Sequence, residues 1–336
     1  MATRRTFLAG LASTLAAPRI GLGQPLEKVT FGTNWVAQAE HGGFYQAVAD
    51  GTYARHGLDV TIVPGGPQVN NRLLLSAGRL DFFMGGNLIQ TVSAVEQNVP
   101  TLAVAAMFQK EPQCFLAHPG QGIERFADLK TLPTLFVAQA GVATFWRWMK
   151  AEHGFRDEQV KPYTYNSQPF LVDKRSAMQG YVTSEPYSIE KAAGFAPKVF
   201  LLADAGFDPY ATTIETRRDT LANKPSTVQR FVEASILGWY AYLYGDASSA
   251  NQLIMKQNPD MTADRIAYAT SRMRDFGIAD SGDTLSLGIG AMTEARVKGF
   301  FDMMVRVGIA KPATDWRQAF DARFVNKGLG RELRRT

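Results

Sequence analysis

The feature that most constrains this chain is a strand–helix unit that recurs three times near its start. In Lys28-Val29-Thr30-Phe31-Gly32-Thr33-Asn34-Trp35, the residues Val29, Phe31 and Trp35 lie on a β-prone background. A helix over 43–55 follows, apolar at Phe44, Ala47 and Val48. Residues 57–63 alternate like a half-buried strand, end in Pro64-Gly65-Gly66-Pro67, and lead to a helix over 69–77 that Gly78 stops. Residues 80–84 read as a short buried strand closed by Gly85-Gly86-Asn87, before a helix over 88–97 and a strand over 101–107. Parallel strands need long crossover connections and helices supply them, so this order predicts a parallel sheet covered by helices. Glycine at the strand ends makes tight turns, and equally lets a ligand or a second backbone come close.

A second unit begins after Pro119-Gly120-Gln121-Gly122 breaks the β-like run 113–118. It reads as strand 134–138, loop Gln139-Ala140-Gly141, helix 142–153, strand 160–165, a helix around 170–178 and strand 198–202. From Pro225 onward the pattern is helical, over 225–244, 247–257, 262–276 and 293–307, with 285–292 ambiguous. The fold class is therefore α/β, with two lobes and a helical C-terminal tail packed on lobe 1. Crossings near 109–118 and 203–215 make lobe 1 from residues 24–112 plus 212–336 and lobe 2 from 113–211.

A chain of 336 residues with 46% hydrophobic content can bury a large core. Thr3-Arg4-Arg5-Thr6-Phe7-Leu8 has the twin-arginine pattern, and the apolar run after it is too short to span a membrane. Residues 1–23 are read as a twin-arginine signal peptide cleaved after Gly23. Its removal takes Arg4, Arg5 and Arg19 and lowers the net charge from +5 to +2. That is too weak and too dispersed to suggest nucleic acid. Cys114 is the only cysteine, so no internal disulfide can form and no cysteine metal cluster is available. His41, His56, His118 and His153 lack the spacing of zinc ligands.

No GxSxG and no phosphate-cradling glycine loop is present, so no catalytic residue, metal or cofactor is assigned. What remains are aromatic and polar residues at strand ends. Ligands of open α/β sheets bind beyond the carboxyl ends of strands, facing helix N-termini. Trp35, Gln38, Glu40 and His41 occupy that position in the first unit, although Trp35 reads equally as core and His41 as a helix-start residue. Gly86 and Asn87 end the third strand. In the second unit Thr144, Phe145 and Trp146 open a helix, and Glu185 and Tyr187 open another. An ordinary amphipathic helix also accounts for Trp146, a helix start for Glu185, and packing for Tyr187. The set suits a cleft that stacks a flat ring and hydrogen-bonds its edge.

The signal segment, Asn34-Trp35 followed by His41-Gly42-Gly43-Phe44-Tyr45, and Leu75-Ser76-Ala77-Gly78-Arg79-Leu80-Asp81-Phe82 resemble the periplasmic solute-binding proteins of ABC importers. More narrowly they resemble the branch of thiamine-pyrimidine-precursor binders, riboflavin binders and pyrimidine synthases, with taurine, sulfonate and nitrate binders as neighbours. The resemblance implies a type II periplasmic-binding-protein fold that closes on its ligand by hinge motion. It implies a monomeric, non-enzymatic, exported protein that hands a small solute to an inner-membrane permease and its ATPase. Carried over, Trp35 and His41 line one wall, and Glu185 falls where such binders place an acid facing a heterocycle. Three functions compete: a receptor for an aromatic heterocycle, a receptor for a compact anion such as a sulfonate, and a pyrimidine-synthase-like enzyme. The second wants arginine in the cleft, and Arg72 is the one arginine near the first unit's strand ends. The third wants a cysteine-rich iron motif, which one cysteine does not provide.

Overall fold

The computed structural model describes residues 25–334, so the expected signal peptide at 1–23 lies outside the described residues. In chain order the strands are β1 (Glu27–Gly32), β2 (Leu58–Val63), β3 (Phe82–Asn87), β4 (Thr101–Phe108), β5 (Gln113–Ala117), β6 (Thr134–Val137), β7 (Val160–Pro162), β8 (Ser176–Tyr181), β9 (Lys198–Leu201) and β10 (Ala211–Arg217). They form two five-stranded sheets, ordered β2-β1-β3-β10-β4 and β7-β6-β8-β5-β9. Helices cover both, giving the two-lobed α/β architecture the sequence implies.

Neither sheet is wholly parallel. β10 lies antiparallel between β3 and β4, and β5 lies antiparallel between β8 and β9. The reason is topological. The chain leaves the first sheet at the carboxyl end of β4 and enters the second at that same end, so β5 must run back against its neighbours. β10 does the same on the return. β10 carries Thr-Thr-Ile-Glu-Thr with little helix or strand alternation, and its residues 211–215 fall in the stretch read only as a crossing.

Three helical expectations need correction. The helix expected over 43–55 is two, Gly42–Ala49 and Thr52–Arg55, because Gly51 sits at φ 75° between them. The helix expected over 142–153 breaks at Thr144, leaving Gln139–Ala143 and Phe145–His153. The expected helix over 170–178 ends at Val172, and Ser176-Ala177-Met178 begins β8. These residues are buried on both faces, and a short continuous buried run has no period by which to tell strand from helix.

The tail braces the first lobe. Helix Pro225–Tyr244 lies along Gly42–Ala49 so closely that a Cβ on Gly42 would stand 2.0 Å from the Tyr242 ring, and one on Gly43 2.2 Å from the Trp239 ring. Phe231 of the same helix stacks on Phe82 of β3 at 4.1 Å between centroids and on Tyr53 at 5.2 Å. Burying each such ring contributes about 1.5–3 kcal/mol. The edge strand β4 is covered by the tail through Ala106 N to Gly290 O at 3.1 Å and Asp321 N to Ala103 O at 2.8 Å. Helix Glu294–Arg306 then ties down both crossovers with one side chain. The Arg296 guanidinium donates to the Gln109 carbonyl and to Asp208 Oδ2 at 2.7 Å, and lies 4.2 Å above the Tyr210 ring.

Candidate functional site

The carboxyl ends of β1 and β3, the crossovers and the loop after β8 face one another across a cleft between the lobes. It has two compartments that meet at Asn34, Gly86, Tyr165, Tyr181 and Glu185. The first occupies about 920 Å³ including its open mouth and has the rings of Trp35, His41 and Phe108 on its walls. The second is rich in amides and carboxyls, with Asn87, Gln90, Glu111, Gln113 and Gln179. Among the described residues, neither compartment has lysine or arginine on its walls.

Trp35 follows β1 and is 38% exposed, whereas the other four tryptophans are buried. A large ring left exposed in a cleft is available to stack on a ligand. His41 ends a single 3₁₀ turn, Ala39–His41, and is fully buried, with neither ring nitrogen bonded to the protein. Burial pushes its imidazole down to about 3, so it is neutral and offers one donor and one acceptor.

Three carboxyls converge on the cleft. Glu40 is buried and accepts a hydrogen bond from Thr183 Oγ1, which joins the two lobes, and burial raises its carboxyl to about 7. Glu111 lies in the β4–β5 crossover. It accepts from Asn87 Nδ2 and from the Tyr181 hydroxyl, each at 2.9 Å, and burial raises it to about 7 as well. Glu185 opens helix Glu185–Ala193 and accepts from the Tyr181 backbone N–H at 2.7 Å; burial raises it too, against the opposing pull of that hydrogen bond. Asn87 also caps the helix Leu88–Glu96, its Oδ1 accepting from Ile89 N at 3.1 Å, so its side chain is fixed before any ligand arrives.

The structure brings Trp35, Gln38, His41, Gly86, Asn87, Thr144 and Glu185 to these walls and leaves two expected residues elsewhere. Trp146 is a correction. It is buried on the far face of its helix, donates from Nε1 to Asp157 Oδ1 at 2.9 Å, and packs on Phe155. Its neighbour Phe145, about 100° round the helix, takes the cleft position instead. Tyr187 is the second. It stands in a small side cavity beside Arg265, its ring 5.5 Å from Tyr268 of the tail helix Ala263–Asp275, where it joins the lobes rather than lining the main cleft.

Several wall residues had no role in the sequence reading. Glu111 and Gln113 lie in the expected crossing 109–118, and a segment passing between lobes must border the cleft, so topology could have found them. Thr212, in the expected crossing 203–215, could have been found the same way, and Tyr165 could not. Each is non-glycine with positive φ, 60° and 47°, a conformation that only the tertiary structure imposes.

The chain is similar to several known proteins. The riboflavin-binding protein RibY of Chloroflexus aurantiacus is 22% identical over 329 residues, covering 94% of this chain and 91% of that protein. The 4-amino-5-hydroxymethyl-2-methylpyrimidine phosphate synthase of Schizosaccharomyces pombe is 26% identical over 114 residues, 34% of this chain and 33% of that one. The periplasmic aliphatic sulphonate binding protein SsuA of Escherichia coli superposes with a TM-score of 0.65 at 14% identity, covering 87% of this chain and 91% of that chain. This likeness shows a periplasmic-binding-protein fold. The family described as NMT1/THI5 like matches residues 38–246, well over half of the chain, and the protein belongs to that family.

Proposed function

We propose that this protein is the solute-capturing component of an ABC importer, and that its solute is a small aromatic heterocycle of the aminopyrimidine or flavin kind. The observation that carries the reading is the composition of the cleft. Trp35 and the unpartnered His41 stand on one side, Glu185 and Tyr181 on the other, and Glu40 and Glu111 add two further acids. A ring stacks on the indole, while carboxyl and imidazole groups hydrogen-bond its edge. RibY, matched over nearly its whole length, is a riboflavin-binding protein by name, which agrees with this reading.

A compact anion fits less well, despite the fold shared with SsuA. No cation on the described walls can pair with a sulfonate, and the three carboxyls repel it in the fraction that is ionised. Catalysis of the synthase kind is also disfavoured. Cys114 is fully buried, its thiol donates to Gly180 O at 3.2 Å, and burial pushes it well up, while His41 has no carboxylate bonded to it to orient or activate it. In this reading residues 24–112 with 212–336 and residues 113–211 are the two lobes, export runs through residues 1–23 to the periplasm, and the closed monomer docks on a permease coupled to its ATPase.

Calorimetric titration of the mature protein tests the proposal, with riboflavin, 4-amino-5-hydroxymethyl-2-methylpyrimidine and methanesulfonate as ligands. Saturable binding of either heterocycle, with a smaller radius of gyration in X-ray scattering on saturation, supports it. Binding of methanesulfonate alone overturns it.

A further inference from the structure

One cation stands directly behind the cleft wall, and a buried acid holds it there. Arg72 lies on helix Asn71–Ser76 with its side chain only 25% exposed. Its Nη2 donates to Glu215 Oε1 at 2.7 Å and to Gln90 Oε1 at 2.8 Å, and the guanidinium lies 5.1 Å over the Phe83 ring. Gln90 is itself on the wall of the second compartment, and its Oε1 also accepts from the N–H of Gly86, which borders both compartments. One glutamine amide therefore separates the guanidinium from the ligand space.

Glu215 is built into β10, an interior strand of the first sheet, at this contact. Its side chain is fully buried. Thr213 Oγ1 donates to Oε1 at 3.2 Å, while Oε2 has no partner. A Cβ on Gly85 would stand 1.8 Å from Glu215 Oε1, so the neighbouring strand must carry glycine where the carboxylate sits. A buried carboxylate with one idle oxygen is a poor stabilising device, since an apolar pair of similar volume does as well or better. Arginine is long and flexible, and without its acid only the Gln90 amide oxygen and the Phe83 ring hold the guanidinium in place.

We propose that Glu215 is a specificity-determining residue, which sequesters Arg72 behind the Gly86–Gln90 wall and so keeps the cleft acidic and closed to compact anions. This rests on the heterocycle reading above. Neutralising Glu215 frees the guanidinium to turn past Gln90 into the second compartment, where it can pair with a sulfonate.

The test is calorimetry of the mature wild type, Glu215→Gln, Glu215→Ala and Arg72→Met/Glu215→Leu, with methanesulfonate as the anion and riboflavin and 4-amino-5-hydroxymethyl-2-methylpyrimidine as the rings. Circular dichroism melts establish that each variant is folded. Methanesulfonate affinity should rise about tenfold or more in the two single variants, the effect of one new charge-assisted hydrogen bond. The double variant, which leaves no unpaired charge, should fold, show no gain, and keep the wild type's ring affinity. Folded single variants that gain no anion binding overturn the proposal. So does a gain in the double variant, or a loss of ring binding in it, either of which gives the pair another role. Wild type that binds methanesulfonate and neither ring defeats the heterocycle reading itself. Wild type that binds a ring while Glu215→Gln gains nothing defeats only the present inference.

Discussion

The two sheets have the same strand order and the same antiparallel insertion, yet their cleft walls are supported differently. Behind the first wall, helix Pro225–Tyr244 presses Trp239 and Tyr242 against Gly42 and Gly43, directly under the turn that carries Glu40 and His41. Behind the second, helix Phe145–His153 keeps Trp146 and Trp148 buried on its own lobe, and the wall residue Tyr165 is 70% exposed. In the proposed function this contrast becomes a division of labour, with the braced wall presenting the stacking indole and the lighter wall closing on it. Their main link inside the cleft is one hydrogen bond, Thr183 to Glu40, with Arg296 holding the crossovers outside it.

The largest effect should come from attacking the brace. Gly43→Val drives a branched side chain into the Trp239 ring and should lower stability by about 3 kcal/mol. Gly180→Ala in the second lobe places its Cβ 3.0 Å from Glu185 Cβ and should lower it by about 1 kcal/mol. Chemical denaturation measures both, and equal losses would remove the asymmetry.

Next, Trp35→Ala should weaken ring binding by about 1–3 kcal/mol in calorimetry. Trp146→Phe should leave affinity unchanged and lower only stability, by about 1 kcal/mol for the lost Asp157 hydrogen bond. Affinity that follows Trp146 instead would reverse the assignment of the two walls.

The acids give a pH dependence of defined sign. Glu40 and Glu111 have folded values raised to about 7 from 4.5. Between these values the folded state keeps protons the unfolded chain has released. Their contribution is thus fully present below pH 4.5 and is lost as pH rises through 7. The melting temperature without ligand should fall between pH 5 and pH 8, and Glu40→Gln should flatten the slope. A melting temperature that rises over this range sinks the prediction. The smallest effect belongs to the link between walls. Thr183→Val should cost about 0.5–1.5 kcal/mol of the closed form and enlarge the ligand-free radius of gyration in X-ray scattering.

How far the site was legible depended on where each residue stood relative to a strand end. Trp35, Gln38 and His41 follow the first strand, Gly86 and Asn87 end the third, and position alone sends them to the cleft. Trp146 could not be sorted from Phe145 because helix rotation, not sequence distance, decides which neighbour faces the ligand. Gly42 and Gly43 were visible as a motif, but that they exist to admit Trp239 and Tyr242, almost two hundred residues later, was not. Arg72 was visible as a cation near the strand ends. That Glu215 pairs with it required helix Asn71–Ser76 to pack beside β10.

By itself the sequence determined the alternation of strand and helix, the two α/β units, the helical tail and the absence of any internal disulfide, because hydrophobic period, turn residues and a cysteine count are local properties. Only the tertiary structure decided the reversed direction of β5 and β10, the burial of His41 and the neutralisation of Arg72. Each of these depends on groups far apart in the chain meeting where water is excluded, and there a charge or a lone pair is set by its neighbours in space rather than in sequence.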